Sequence, residues 1–195
     1  MKPKNVNYSN QRVGIFVDVQ NLYHSAKNLY HGRVNYAELI KTLVGDRQLI
    51  RSVAYVVKSE GVEPQRGDDG RREHGRNPEQ HPAGALSSEA AFFDALEKAG
   101  LELRVKDLQI YAGGFKKADW DVGMAVDAIR MASFLDAIIL VTGDGDFIPL
   151  VNYLKWGMGR LVEVAAFRRS TSSRLQEVAD KFINIEEIPK IIIKK

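Results

Sequence analysis

The stretch AIILVTGDGDF, residues 137–147, decides the fold of this chain. Its first five residues are all apolar, which is typical of a parallel strand that is buried on both faces. A glycine-containing turn follows and leads into residues 148–151, where a helix should begin. Open α/β sheets bind their ligands beyond the carboxyl ends of the strands. The turn therefore places Asp144 and Asp146 where a functional site is expected.

The rest of the chain alternates apolar strand patterns with helical patterns. Strands are predicted at residues 13–17, 49–57, 101–105, 137–141 and 161–167, and helices at residues 21–30, 36–44, 87–99, 118–135, 147–156 and 172–182. Residues 101–105 alternate apolar and charged side chains, so this strand should lie near an edge of the sheet. The repeated order predicts an α/β fold of three layers, with a mainly parallel central sheet and helices on both faces.

The length of 195 residues fits a single domain, which we place at residues 11–187, with tails at 1–10 and 188–195. Residues 59–86 are polar, charged and rich in glycine and proline, which predicts a mobile insertion. Its arginines leave a second interpretation open, that of a loop contacting substrate. The apolar run at residues 189–193 should pack on the body, add an edge strand or mediate association.

Composition excludes several classes of protein. There is no cysteine, hence no disulfide and no thiolate metal site. No apolar run approaches the roughly 20 residues of a membrane span, and the polar N-terminus lacks a signal-peptide core. We therefore expect a cytoplasmic protein with no membrane partner. The net charge of +3 permits nucleic-acid binding without arguing for it, and no pattern requires a homo-oligomer.

Two further aspartates can reach the same edge of the sheet. Asp18 ends the first predicted strand, and Asn21 follows it within reach of the same spot. Asp121 lies on a predicted helix whose small apolar face, at Ala125 and Ala128, allows close packing on the sheet. Clustered carboxylates repel one another unless something neutralises them, and a divalent metal is the usual answer. The alternative for each acid is helix capping.

The glycines of residues 143–145 do not form a dinucleotide-binding fingerprint, because the third glycine of G-x-G-x-x-G is missing. The two negative charges of this turn would also repel a pyrophosphate. A metal that bridges the carboxylates to a phosphate removes that conflict, and Mg²⁺ commonly binds in this way. No Ser–His or Cys–His dyad stands out, and the four histidines lack the spacing of zinc ligands.

Other polar residues near this edge have a functional and a structural interpretation. Asp127 precedes Arg130 by three residues, so a surface ion pair is its simpler role, and Asp119 fits a helix cap or a carboxylate at the rim. Lys117 and Arg168 belong to basic pairs that could bind phosphates. Ser172 starts a predicted helix, where it can cap the helix or receive a phosphate.

Together these motifs resemble the NYN domain family, a branch of the PIN-like ribonucleases. The resemblance is carried by VGIFVDVQN at 13–21, KKADWDVGMAVDA at 116–128, VTGDGDF at 141–147 and, near the end, SSRLQEVADKFINI at 172–185. The matching positions are Asp18 and Asn21 in the first motif, Asp121 and Asp127 in the second, and Asp144 and Asp146 in the third. The second motif commonly reads Lys-Gly-x-Asp, whereas Lys117 is here followed by Ala118 and the triplet Asp119-Trp120-Asp121.

The resemblance implies a metal-dependent ribonuclease with a PIN-like sheet and RNA as its partner. Asp18, Asp121 and Asp144 would hold Mg²⁺ or Mn²⁺, with Asp146 assisting as a fourth catalytic carboxylate. Asn21 and Thr142 would orient ligands or substrate. Two alternatives stay open, a non-catalytic module that binds RNA or protein and a metal-dependent phosphatase on small substrates. Gln20 weighs against one phosphatase class, which uses Asp-x-Asp at the first strand.

Overall fold

The computed structural model describes residues 9–58, 88–107, 109–110, 116–117 and 120–194. The predicted insertion at 59–86 lies outside the described residues, as does Asp119. None of the helices in the described ranges combines the length and the apolar character needed to cross a membrane.

The central sheet has six strands in the order β4-β3-β1-β7-β8-β9, and every neighbouring pair in it is parallel. The strands of the described residues are β1 Arg12–Asp18, β2 Gly32–Val34, β3 Gln48–Lys58, β4 Glu102–Asp107, β5 Gln109–Ile110, β6 Lys116–Lys117, β7 Ala137–Val141, β8 Leu161–Ala166, β9 Lys181–Asn184 and β10 Ile192–Lys194. The predicted parallel sheet is therefore confirmed, including the position of β4 at an edge.

Helices cover both faces of the sheet. They are α1 Val19–Tyr30, α2 Tyr36–Val44, α3 Ser88–Lys98, α4 Asp121–Met131, α5 Ile148–Asn152 and α6 Ser173–Val178. Alternate residues of β1 enter opposite layers: Ile15 packs in one core with α1, α2 and α3, and Phe16 packs in a second core with α4, α5 and α6. Burial on both faces explains the continuous apolar runs of the central strands.

The C-terminal helix predicted at 172–182 is wrong in its second half. The helix ends at Val178, and residues 181–184 form β9 at the edge of the sheet. Asp180 directs this change, because its carboxylate accepts a hydrogen bond from the Val162 amide at 2.8 Å and its own amide donates to the Val162 carbonyl at 2.9 Å. These two bonds draw the chain alongside β8.

Two other predicted helices differ in detail. The helix predicted at 118–135 begins as α4 at Asp121 and tightens into a 3₁₀ turn at Ala132–Phe134. The helix predicted at 147–156 is a 3₁₀ turn at Gly145–Phe147, then α5, then a π-helical turn at Tyr153–Gly157. Such local changes of winding leave no mark on the apolar pattern, which reports the buried face only.

The run at 189–193 packs on the body of the protein. Ile191 is buried, and the following residues form β10, so both packing and strand formation are as expected. β10 pairs antiparallel with β2 in a separate two-stranded sheet, and β2 was not predicted. The two strands are too short to show a period, so their pairing was not visible along the chain.

A buried ion pair joins the layer of α2 to the sheet. The two Nη atoms of Arg47 donate to the two carboxylate oxygens of Glu163 at 2.9 and 3.1 Å, and both side chains are almost inaccessible to solvent. Arg47 also donates to the carbonyls of Leu43 and Val44, which end α2. The pair therefore ties the end of α2 to β8.

We predict that Glu163→Gln lowers the free energy of unfolding by about 3 kcal/mol, because it leaves the Arg47 charge buried without a counter-ion. Urea denaturation followed by circular dichroism measures this loss. Glu102→Gln is the matched control, since Glu102 also pairs with an arginine but at the surface, where one Nη atom of Arg51 donates to both of its carboxylate oxygens at 2.8 and 2.9 Å. Breaking that pair should cost at most about 1 kcal/mol, and equal losses in the two variants would contradict the prediction.

Candidate metal centre

The site begins where β1 and β7 end side by side. Val17 and Val141 are register partners, so the residues that follow them, Asp18 and Thr142, emerge together at the carboxyl edge of the sheet. The Thr142 hydroxyl donates to Asp18 Oδ2 at 3.2 Å and accepts from the Asp144 amide at 3.2 Å. Thr142 is fully buried. One hydroxyl thus links the first acidic motif to the third.

Asn21 fixes the loop after β7 from the side of α1. Its Oδ1 atom accepts a hydrogen bond from the Gly143 amide at 3.0 Å. On the other side, the Gly143 carbonyl accepts from the Ser172 amide at 3.0 Å. A Cβ at Gly143 would lie 2.9 Å from the Ser170 carbonyl oxygen, so a side chain would push these loops apart. This contact uses the amide oxygen of Asn21; its predicted role toward substrate stays a prediction.

Three carboxylates converge beyond this edge. Asp121, Asp144 and Asp146 each offer one oxygen, and these oxygens all lie within 4.8 Å of one another. Asp144 and Asp146 come from the loop after β7, where Asp144 Oδ1 accepts from the Asp146 amide at 3.0 Å. Asp121 comes from the first turn of α4. Within the described ranges this is the one group of three or more potential metal ligands.

The donor set fits a hard divalent cation. All three ligands are carboxylate oxygens, which Mg²⁺ and Mn²⁺ prefer, and nitrogen or sulfur ligands are absent from the group. Asp121 and Asp144 are partly buried and Asp146 is exposed, so the group is open to solvent on one side. An acidic group of this kind could bind a metal ion.

Asp18 lies beside this group and is not a member of it. Its Oδ1 atom accepts from the Asn21 amide at 3.0 Å, which makes Asp18 the N-cap of α1. Burial raises the pKa of the Asp18 carboxyl, the nearby charge of Asp144 raises it further, and the hydrogen bonds from Asn21 and Thr142 act in the opposite direction. The predicted cap is confirmed, and the role of Asp18 as a metal ligand stays a prediction.

Asp127 lies further along α4 and is bound by residues outside the carboxylate group. It accepts a hydrogen bond from the Tyr55 hydroxyl at 3.0 Å, and Arg104 and Arg130 approach it at 3.5 and 3.9 Å. The predicted pair with Arg130 is therefore present. Asp127 does not belong to the carboxylate group, and its second-tier role at the site stays a prediction.

The predicted phosphate-binding residues have contacts that do not involve the carboxylate group, as far as their side chains are described. Arg168 is exposed, with its guanidinium 5.2 Å from the centre of the Phe182 ring. Ser172 caps α6 by accepting from the Leu175 amide at 3.4 Å, as predicted. Lys117 lies on β6, and its side chain is outside the described part of the chain. Contacts of these residues with substrate stay predictions.

Sequence patterns missed the residues that hold α4 in place. The Trp120 indole donates to the Val56 carbonyl at 2.8 Å, and Tyr55 binds Asp127 as described above. The one signal along the chain was the position of Trp120 directly before Asp121. Its partner on β3 lies 64 residues away in sequence.

The fold and the carboxylate group together define an α/β protein with an acidic site at the carboxyl edge of its sheet. The model of the NYN domain family matches residues 12–186, and this chain belongs to that family. NYN domains are generally nucleases, which connects the chain to nuclease-type, RNA-related function. The resemblance seen in the motifs is therefore confirmed.

Two known proteins are similar to this chain. The chain is 27% identical over 109 residues to the low amplitude and bright protein LabA of Synechococcus elongatus, and this match covers 53% of the chain and 58% of that protein. The structure is similar to the crystal structure of a protein of unknown function from Vibrio parahaemolyticus, with a TM-score of 0.74 and 26% identity. That match covers 97% of this chain and 100% of the other.

We predict that Asp18→Asn raises the free energy of unfolding at pH 7 in EDTA. The folded-state pKa of Asp18 is raised above its ordinary value of 3.8, so its contribution to stability is complete below that value and is lost as the pH rises through the folded-state pKa. Asparagine keeps the cap of α1 without the charge. The gain should shrink as the pH falls, which denaturation curves at several pH values measure.

Asp136→Asn is the control of opposite sign. Arg12 lowers the pKa of the Asp136 carboxyl to about 2 through two side-chain hydrogen bonds and one from its backbone amide. That contribution is present above pH 3.8 and is lost as the pH falls towards about 2. This variant should therefore be less stable at pH 7. A loss of stability in Asp18→Asn under the same conditions would contradict the prediction that the buried charge of Asp18 destabilises the folded protein at pH 7.

Proposed function

We propose that this protein is a metal-dependent ribonuclease that hydrolyses phosphodiester bonds of RNA. The observation that carries the proposal is the convergence of Asp121, Asp144 and Asp146 within 4.8 Å in a chain of the NYN family. Asp144 also caps the 3₁₀ turn at Gly145–Phe147, a structural role that is compatible with binding a metal ion.

Asp121, Asp144 and Asp146 would hold Mg²⁺ or Mn²⁺, and Asp18 lies close enough for its pKa to respond to Asp144. When bound, the cation stabilises negative charge on the phosphodiester and activates water. The mutual repulsion of the carboxylates in the free protein favours its uptake.

The surrounding hydrogen bonds orient the carboxylates before any cation arrives. Thr142 holds the Asp18 carboxylate and the Asp144 amide at the same time. The Asp146 amide fixes one oxygen of Asp144, and Asn21 fixes the Gly143 amide before it. Little rearrangement is then needed when substrate binds, which is the main way in which a protein assists transfer at phosphorus.

RNA extends beyond the scissile bond, and its phosphates need cationic partners. Arg168 and Arg169 are exposed directly after β8, whose carboxyl end faces the same edge of the sheet as the carboxylate group. These arginines and Lys117 are the groups proposed to bind flanking phosphates. The affinity for RNA should consequently fall steeply as the salt concentration rises.

We predict that Asp144→Asn lowers RNA cleavage by about 100-fold or more while the protein stays folded, since removing a metal ligand costs several kcal/mol of charge stabilisation. The measurement uses end-labelled single-stranded and structured RNA with Mn²⁺, Mg²⁺ or EDTA. Asp46→Asn is the matched control, because Asp46 is exposed in the turn between α2 and β3, where the chain enters the amino end of that strand.

Each outcome separates the proposal from an alternative. Metal-dependent cleavage that survives in Asp46→Asn and disappears in Asp144→Asn supports the ribonuclease. Mn²⁺ binding without cleavage of any RNA contradicts it in favour of a binding module. Hydrolysis of a nucleotide monoester without cleavage of RNA contradicts it in favour of a phosphatase.

A further inference from the structure

Trp120 attaches the beginning of α4 to the sheet. It directly precedes Asp121, and its indole Nε1 donates a hydrogen bond to the Val56 carbonyl of β3 at 2.8 Å. Trp120 occupies the N-cap position of α4 but makes no side-chain hydrogen bond to the helix. Its one polar atom is thus used to hold the helix start against a neighbouring strand.

The Trp120 ring is closely packed on its other sides. Its centre lies 5.5 Å from that of Tyr55, with an angle of 58° between the planes. A Cβ at Gly123 would lie 2.6 Å from the indole Cε3, so only glycine lets the first turn of α4 rest on the ring. The Lys106 ammonium lies 5.7 Å from the ring centre, within the range of a cation–π contact. These contacts restrict both the ring and the helix that carries it.

A second contact fixes α4 further along. The Tyr55 hydroxyl donates to Asp127 Oδ2 at 3.0 Å. Tyr55 and Val56 are neighbours on β3, while Trp120 and Asp127 lie on α4 about 10 Å apart at the rise of an α-helix. Two points of attachment prevent the helix from pivoting about either one. We call these two contacts the α4 clamp.

The carboxylate group can form only if α4 keeps its position, because α4 carries Asp121. Asp144 and Asp146 share one loop, in which Asp144 accepts from the Asp146 amide, whereas Asp121 arrives on a separate element. Repulsion among the three carboxylates acts to move α4 away from the loop whenever no cation is present. The clamp opposes this movement, because its Trp120 contact lies one residue before Asp121.

We propose that Trp120 is a positioning residue that holds Asp121 ready for a divalent cation, supported by Tyr55 through Asp127. The inference rests on the proposed metal-binding function of the same site. It assigns to Asp127 the task of fixing α4, and it explains why a tryptophan with a partly buried hydrogen bond directly precedes a candidate ligand. Trp120 itself contacts neither cation nor substrate.

We predict that Trp120→Phe weakens Mn²⁺ binding by about tenfold, as the loss of a group that orients a metal ligand commonly does. Phenylalanine keeps an aromatic ring and removes the N–H donor. Isothermal titration of the full chain with Mn²⁺ measures the affinity, and thermal unfolding in EDTA checks the fold. Trp156→Phe is the matched control, because Trp156 is 82% exposed and should leave the affinity unchanged.

Tyr55→Phe tests the same clamp if Trp120→Phe does not fold, since it removes only the hydroxyl that binds Asp127. Its affinity for Mn²⁺ should fall in the same direction. RNA cleavage by either variant should recover at saturating Mn²⁺, a rescue that general damage to the fold would not show.

Equal Mn²⁺ affinity in Trp120→Phe, Tyr55→Phe and Trp156→Phe would overturn the positioning role and leave the ribonuclease proposal intact. If the unaltered chain bound no Mn²⁺, the proposed metal-binding function would fail, and the positioning role would fail with it. The two failures are distinguished by the titration of the unaltered chain.

Discussion

The parallel pairing of β1 with β7 is the constraint on which the site depends. The two strands are buried on both faces, so a shift of register by one residue would exchange the side chains of two different cores. With Val17 opposite Val141, the chain leaves both strands at the same level, and Asp18 and the Thr142 hydroxyl meet. The packing of the apolar core thereby fixes where the polar side chains at the edge of the sheet lie.

The carboxylates at the polar edge of the sheet repel one another, and this repulsion lowers the stability of the folded protein. Asp18 is partly buried near Asp144, and three further carboxyl oxygens converge in front of it. The Asn21 amide and the Thr142 hydroxyl donate to Asp18, and the Asp146 amide donates to Asp144. These hydrogen bonds stabilise single carboxylates but do not neutralise the group. Stability gained elsewhere, including the buried Arg47–Glu163 pair, the two cores and the α4 clamp, keeps the repelling groups together. A cation would relieve this repulsion, which agrees with membership of a family that is generally nucleolytic.

Several features were evident from residue patterns. Apolar runs located the central strands, the loop after β7 was expected at the carboxyl edge, and the spacing of small residues indicated the buried face of α4. These signals are local, because side chains return to the same face every two residues in a strand and every three to four residues in a helix. Asp144 and Asp146 were expected at this edge because they follow a parallel strand, and Asp121 was expected to reach them because the small face of its helix packs closely on the sheet. The family motifs indicated the same three residues and, in addition, Asp18, Asn21 and Asp127, which lie outside the carboxylate group.

The sequence by itself determined the class of fold, the family and the loop that bears the acids. Only the tertiary structure showed that residues 181–184 form an edge strand, that Asp127 binds Tyr55, and that Trp120 reaches Val56. Each of these depends on one hydrogen bond or strand pair between residues far apart in sequence. Such contacts have no period along the chain, because they arise from the way in which packed layers bring unrelated segments together.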